Sequence, residues 1–214
     1  MAALDRMGAT LRRLNSFGLQ ADVTQEQVLT TGQKLQYGSR LTYQVRRPNG
    51  LKIDMASDRQ SRSIYYDGKT ITVAAPLLGY YASASAPPTI AEMLRTASKR
   101  HGIELPLADL FTWGTDADQR NAITSAFEVA SETIAGKRCG QYAFRQASVD
   151  WQIWIAEGTE ALPCKIVITT TDDPSMPQFS ALLTWQPRQN FAASTFTYKP
   201  PPTAQKIVLG TAAP

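Results

Sequence analysis

A single histidine and two cysteines stand among 214 residues, and that scarcity removes most of the chemistry a chain of this size could carry. His101 has no second histidine with which to share a metal and falls at the end of a helical stretch, where an exposed polar terminus accounts for it. Cys139 and Cys164 are too few and too widely spaced for a zinc site. No GxSxG elbow, HExxH, P-loop or GxGxxG pattern is present. Asp116, Asp118, Asp172 and Asp173 lie in polar, turn-like segments where carboxylates cap helices or close Asx-turns. No apolar run approaches the roughly 18 to 20 residues needed to cross a bilayer. The opening MAALDRMGATLRRL lacks the apolar core of a signal peptide, as expected of a mature domain with a starting Met. These absences predict no catalysis, no metal and no cofactor.

The charge excludes another class. Twenty-two basic and 18 acidic residues give +4 and a pI near 9.1, but they are scattered, and pairs such as Arg46-Arg47 and Lys99-Arg100 read as solvated faces. Trp151 and Trp154 fall on opposite faces of one strand with no periodic basic partners, so no nucleic-acid platform is expected. A hydrophobic content of 43% suits a globular chain. With no composition break and no fixed repeat, the reading is one domain over residues 1–214.

What is present is periodicity. Leu4, Met7, Leu11 and Leu14 give a helix over 2–15 one narrow apolar stripe. From Phe17 the period becomes two: Phe17, Leu19, Ala21 and Val23, then Leu41, Tyr43 and Val45, then Leu51, Ile53 and Met55. Pro48-Asn49-Gly50 supplies the turn between the last two. In SIYYDGKTITV, residues 63–73, Asp67-Gly68 suits a type I′ hairpin turn, which sets Ile64 opposite Ile71 with Val73 on the same face and Ser63, Tyr65, Thr70 and Thr72 on the other. After Pro87-Pro88, Thr89 caps a helix over 89–101 whose Ile90, Met93, Leu94 and Ala97 form a second stripe. A short helical piece follows between Pro106 and Trp113. Strands resume at Phe127 and Val129, Tyr142 and Phe144, Trp151, Ile153 and Ile155, Ile166 and Ile168, and Leu183 and Trp185.

Helices gathered on one side of about 10 to 11 antiparallel strands make an α+β fold, and accumulated twist curls so large a sheet into an incomplete barrel with a concave apolar face. The face is expected to be lined by Leu19, Tyr43, Val45, Leu51, Ile53 and Met55, by Ile64, Ile71 and Val73 of the hairpin, and by Trp151, Ile153 and Ile166. Met93 and Leu94 present the covering helix. Two readings follow: a cavity for an apolar ligand, or a solid core with function in a sheet edge or in the Pro-rich tail from Lys199 to Ala204. The cysteines are similarly open. An oxidising compartment favours a disulfide, whereas alternation puts Cys139 in phase with Arg145 and Cys164 in phase with Ile166, on opposite faces.

Four fragments occur in an order that resembles the LolA family of periplasmic lipoprotein carriers: the helix leading to Asn15-Ser16-Phe17, Arg46-Arg47-Pro48-Asn49, Asp67-Gly68-Lys69-Thr70, and Thr195-Phe196-Thr197-Tyr198-Lys199-Pro200-Pro201. The segment DWQIWIAEGTEALPCKIVITT, residues 150–170, looks more like an uncharacterised family of predicted periplasmic proteins sharing that fold. The resemblance implies secretion through a cleaved signal peptide and a half-barrel with helices as a lid. It also implies a ligand that is a lipid, a lipidated protein or another amphiphile, a membrane-associated donor or acceptor, and a monomeric carrier. In the carriers an Arg of the Lys-Arg-Pro-Asn element helps hold the lid closed, and Arg47 is the matching position. Arg47 is in phase with Leu41, Tyr43 and Val45, so its stem ends an inward row. The alternative is a rim Arg whose charge reaches solvent.

Overall fold

The computed structural model describes residues 1–113 and 120–210. Among the described residues, the helices α1 (Ala2–Arg13), α2 (Ile90–His101) and α3 (Asp109–Thr112) accompany twelve strands. The strands are β1 (Ser16–Val28), β2 (Lys34–Arg46), β3 (Gly50–Ala56), β4 (Ser61–Tyr66), β5 (Thr70–Ala75) and β6 (Tyr80–Ser85), followed by β7 (Ser125–Ile134), β8 (Lys137–Arg145), β9 (Val149–Ala156), β10 (Pro163–Thr170), β11 (Gln178–Gln186) and β12 (Gln205–Ile207). Their hydrogen-bonded order is linear, β12-β6-β5-β4-β3-β2-β1-β11-β10-β9-β8-β7, so the sheet is open and the fold is α+β as expected. Two strands lie beyond the sequence reading. β6, YYASAS, has too little apolar alternation to stand out, and β12 is three residues that pair parallel with β6.

The chain forms two compact units. Unit 1 comprises residues 1–13, 21–39 and 113–185, and unit 2 residues 14–20, 40–112 and 186–214. In unit 1, α1 buries Leu4, Met7 and Leu11. Gly8 lets the helix approach closely there: a Cβ on it would lie 3.1 Å from the Trp113 ring, which would have to shift slightly. Arg12 donates to the Trp113 carbonyl. Asp116 and Asp118 lie outside the described residues, whereas Asp173 closes the expected Asx-turn, accepting from the Ser175 N–H at 2.8 Å.

The cysteines correct the alternation argument. Cys139 and Cys164 form a disulfide. The β9–β10 pairing shifts register between Pro163, opposite Ile155, and Lys165, opposite Trp154, which leaves Cys164 as the extra residue of a bulge and breaks its phase with Ile166. The disulfide is buried against Trp154, whose indole N–H donates to Glu132 and whose ring lies under the Lys165 ammonium at 4.4 Å. Trp154 and Trp151 do occupy opposite faces, because Trp151 instead stacks on Phe144 at 4.2 Å.

In unit 2 the β4–β5 hairpin exists, with a different turn. Tyr66 pairs with Ile71 and Ile64 with Val73, two residues away from the expected register. Gly68 has φ +90° while Lys69 has no positive φ, so Gly68-Lys69 are the central residues, in the pattern of a type II′ turn. Asp67 selects this arrangement by accepting the N–H groups of both Lys69 and Thr70. Because the shift is two residues, every side chain keeps its predicted face.

Candidate functional site

The sequence-predicted lining of unit 2 forms cross-strand rows. Val45, Leu51, Tyr66 and Ile71 stand abreast on β2 to β5, and beside them Tyr43, Ile53, Ile64 and Val73 make a second row. Leu41, Met55 and Arg62 begin a third. Leu19 on β1 is buried in the same unit. Tyr43, Val45, Leu51 and Ile53 are 0% exposed, while Met55 and Val73 are half-buried. These are the β-branched, aliphatic and aromatic residues that pleated, covered faces favour.

Helices α2 and α3 cover this face through contacts at several points. Thr89 caps α2, its hydroxyl accepting the Glu92 N–H and donating to the Glu92 carboxylate at 2.7 Å. Met93 is 1% and Leu94 8% exposed on the covered side. The Tyr66 hydroxyl donates to the Pro87 carbonyl at 2.6 Å, just ahead of α2, and the Tyr43 hydroxyl donates to the Pro106 carbonyl at 2.6 Å, just ahead of α3. Phe111 of α3 lies with its ring 5.5 Å from Tyr43 and 6.2 Å from Phe17. Burial raises both phenols, Tyr66 to about 12.

Arg47 follows Val45 of the first row by two residues, just past the end of β2. Its Nη2 donates to the Phe111 carbonyl at 3.1 Å, in the last turn of α3, while its backbone N–H bonds the Asn15 carbonyl at 2.7 Å. Among the described residues its Nε is buried without a hydrogen-bond partner, and desolvation lowers the guanidinium's pKa from the ordinary arginine range. Neighbouring Arg46 is turned elsewhere, its guanidinium 4.9 Å over the Phe196 ring and its Nη1 donating to the Phe191 carbonyl.

Trp151, Ile153 and Ile166 belong to unit 1. There Tyr142, Ile153, Ile166 and Ala181 form a row across β8 to β11, and Trp151 pairs between Phe144 and Ile168 beneath the Trp113 ring at 5.8 Å. The predicted residues thus divide between two covered faces, each within its own unit. Sequence reasoning missed Phe111 and Trp113 as covering groups, although both stand in the short helical piece it identified. It also left Tyr66 out of the row, although Tyr66 shares a face with Ile64. His101 Nδ1 lies 2.8 Å from the Gly210 carbonyl oxygen, a structural contact at the end of α2.

A cavity of about 570 Å³ lies in unit 1 beside the disulfide, floored by Ile134, Leu162, Cys164, Leu183 and Trp185 and edged by Lys137, Arg138, Glu157 and Glu160. None of the sequence-predicted lining residues contributes to it.

A family model for predicted periplasmic proteins, DUF2092, matches residues 1–209. The chain belongs to the DUF2092 family. This is the compartment, and the kind of uncharacterised family, expected from the sequence resemblance. The DUF2092 chain is similar in structure to the lipoprotein LppX of Mycobacterium tuberculosis, at 14% identity and TM-score 0.56 over 88% of this chain and 96% of that one. It is also similar to an uncharacterised conserved protein from Thermus thermophilus, at 10% identity and TM-score 0.53 over 97% of both. A LolA superfamily protein from Nitrosomonas europaea is a more distant likeness, at 9% identity and TM-score 0.45 over 92% of this chain and 96% of that one. No curated protein is significantly similar to the chain.

Proposed function

We propose that this DUF2092 protein is a non-catalytic periplasmic carrier, acting as a monomer on a lipid, the acyl chains of a lipidated protein or another amphiphile. The ligand lies against the apolar rows of unit 2 once α2 and α3 lift from them. The observation that carries the reading is the Arg47 guanidinium, held over an otherwise apolar face by a single side-chain hydrogen bond to α3, with its Nε unpartnered among the described residues. A desolvated cation that makes so little of its five donors is a weak clasp. It favours two helix positions of similar free energy, one seated and one in which the guanidinium regains water. Because the rows are filled while the helices are seated, a ligand replaces the helix contacts. Burial of an acyl chain supplies roughly 0.8 kcal/mol per CH₂, enough for micromolar binding without any catalytic group. Leu19, Tyr43, Val45, Leu51, Ile53, Met55, Ile64, Ile71, Val73, Met93 and Leu94 are the proposed contacts in unit 2, with Trp151, Ile153 and Ile166 lining the corresponding face of unit 1.

Stopped-flow release of a fluorescent fatty acid tests the clasp. Arg47→Leu is expected to keep the fold and to release the probe several-fold faster; release identical to that of the unsubstituted protein would sink the gating role. Native mass spectrometry of protein purified without detergent tests carriage itself, with bound lipid mass as the expected result.

A second reading, a non-catalytic interaction module of the envelope, draws on β7. This end strand of the sheet is exposed along nearly its whole length, with Phe127 61% and Val129 48% exposed. It requires partner capture that is lost in Phe127→Glu and that persists when no lipid binds.

A further inference from the structure

The largest exposed aliphatic side chains of unit 2 outside its tail are adjacent, and they stand on a tip. Between β5 and β6 the chain makes a single 3₁₀ turn, Pro76–Leu78, closed by Gly79 at φ +69°, with the Gly79 N–H bonded to the Pro76 carbonyl. Leu77 and Leu78 are each 71% exposed, and Tyr80, at the start of β6, is 42% exposed. A Cβ placed on Gly79 would meet nothing within 4 Å, and the Gly79 carbonyl accepts the Gln205 N–H at 2.8 Å, so the turn is tied to β12 while one side of it is open. Pro76 and the hydrogen-bonded ladder beneath it, Ala75 opposite Tyr80, hold the two leucines outward. Such a turn is ordinarily filled by polar residues, and leucine there gains nothing for the fold.

The same end of the strand ladder is basic. The β3–β4 turn carries Asp58 and exposed Arg59. Arg62 follows on β4, one residue before Ser63, which pairs with Ala74 of β5. Arg40 pairs with Ala56 at the matching end of β2, and Lys206 of β12 pairs with Tyr81 of β6. Exposed Arg62 and Lys206, with Arg40 and Arg59, therefore lie at the same end of the ladder as the two exposed leucines and the tyrosine.

We propose that this tip docks the protein on an anionic phospholipid bilayer, with Leu77 and Leu78 in the acyl boundary, Tyr80 at headgroup depth and the cations against lipid phosphates. The composition favours a bilayer over a protein partner. Two adjacent exposed leucines, an interfacial aromatic and exposed cations at one end of the ladder match the layers of an anionic membrane surface. The inference stands apart from the carrier reading, because docking at the tip needs no ligand on the rows beneath α2.

Co-sedimentation of the full chain with vesicles of phosphatidylglycerol and phosphatidylcholine, and with vesicles of phosphatidylcholine alone, tests it. The unsubstituted protein is expected to bind the anionic vesicles and to be released progressively by salt. Leu77→Ser/Leu78→Ser is expected to bind at least about tenfold more weakly. Arg62→Ala/Lys206→Ala should lose affinity at low salt only, and Met176→Ser, which removes an exposed apolar side chain of unit 1, should bind normally. Affinity for a fluorescent fatty acid in vesicle-free solution is expected to be the same with or without the leucines, which separates failure of this inference from failure of the carrier reading. Vesicle binding unchanged in Leu77→Ser/Leu78→Ser would overturn the proposal. So would sedimentation velocity showing that the tip holds two copies of the chain together while vesicles fail to compete.

Discussion

Tyr66 shows how one hydroxyl couples the sheet to the chain leading into α2. Its ring completes an apolar row, and its O–H donates to the Pro87 carbonyl at 2.6 Å. Burial, aided by the charges of Glu92 and Asp67, pushes the phenol up to about 12 from an ordinary value of 10.0. The native state therefore prefers the neutral phenol. The stability from that preference is fully present below the unfolded tyrosine value and is lost as pH rises from about 10 through about 12. Tyr66→Phe is expected to cost about 1 kcal/mol near neutral pH, the worth of the lost hydrogen bond. It should also flatten the alkaline fall in stability, as read by urea unfolding across that range. Parallel pH curves for the two proteins would remove Tyr66 as a titrating contact. The disulfide makes a second residue-scale prediction. It closes a loop with a sequence separation of 25, for which loop-closure entropy gives about 3.5 kcal/mol. Cys139→Ser/Cys164→Ser should lower the stability of unit 1 by roughly that amount, and reductant should no longer shift the melting curve. Alternation could not foresee the pairing, because a single bulged residue inverts phase and leaves no mark in composition.

At the scale of elements, α1, α2 and the strands with clear alternation were legible, since each carries its own stripe and α2 its own cap. Thr89, Glu92 and the stripe through Met93 and Leu94 define α2 with no knowledge of what lies beneath it. The hairpin was legible in its existence and faces but not in its turn, because Asp67-Gly68 and Gly68-Lys69 are both acceptable central pairs and the Asp67 side chain chooses between them. The apolar rows were legible as residue types; their division between two units and their covering by Phe111 and Trp113 were not, since both depend on contacts distant in sequence. Whether α2 is a lid is an element-scale question with a direct test. A carboxylate at Met93, 1% exposed, is intolerable while the helix is seated, but a helix able to lift can carry it into water. The cost of Met93→Asp is then capped by the free energy of lifting, whereas Ile53→Asp, on a central strand, has no such escape and should cost several kcal/mol. Met93→Asp is accordingly expected to remain folded, with faster hydrogen exchange confined to α2 and α3. Equal, global destabilisation by both substitutions would identify the helix as fixed core.

At the scale of the whole chain, the C-terminal segment returns to unit 2 and completes it. Phe196 is 1% exposed, and a Cβ on Gly50 would meet its ring at 2.8 Å, so the start of β3 and the aromatic ring are fitted to each other. Tyr198 reaches the opposite face of the hairpin from the rows, with its ring 5.2 Å from Tyr65 and 5.3 Å from Tyr81, and β12 then pairs with β6. The sequence offers the Pro-rich stretch from Lys199 to Ala204 as a surface for partners. It is held at both ends, carrying the chain from Tyr198 to β12, while Lys199 to Thr203 are exposed. Removing residues 190–214 should therefore act as a core mutation, because it takes away Phe196, the Arg46 contacts and the cover over Tyr65 at once. Phe196→Ala alone is expected to cost about 3 to 5 kcal/mol, and the longer deletion should leave unit 2 unfolded or aggregated. Deleting residues 208–214, beyond β12, should change the stability only slightly, the His101 contact to Gly210 being a single exposed hydrogen bond. Urea unfolding of the three variants, followed by the exchange protection of β3 to β5, provides the comparison. A stable unit 2 lacking residues 190–214 would mean that the segment is an appendage and not part of the core.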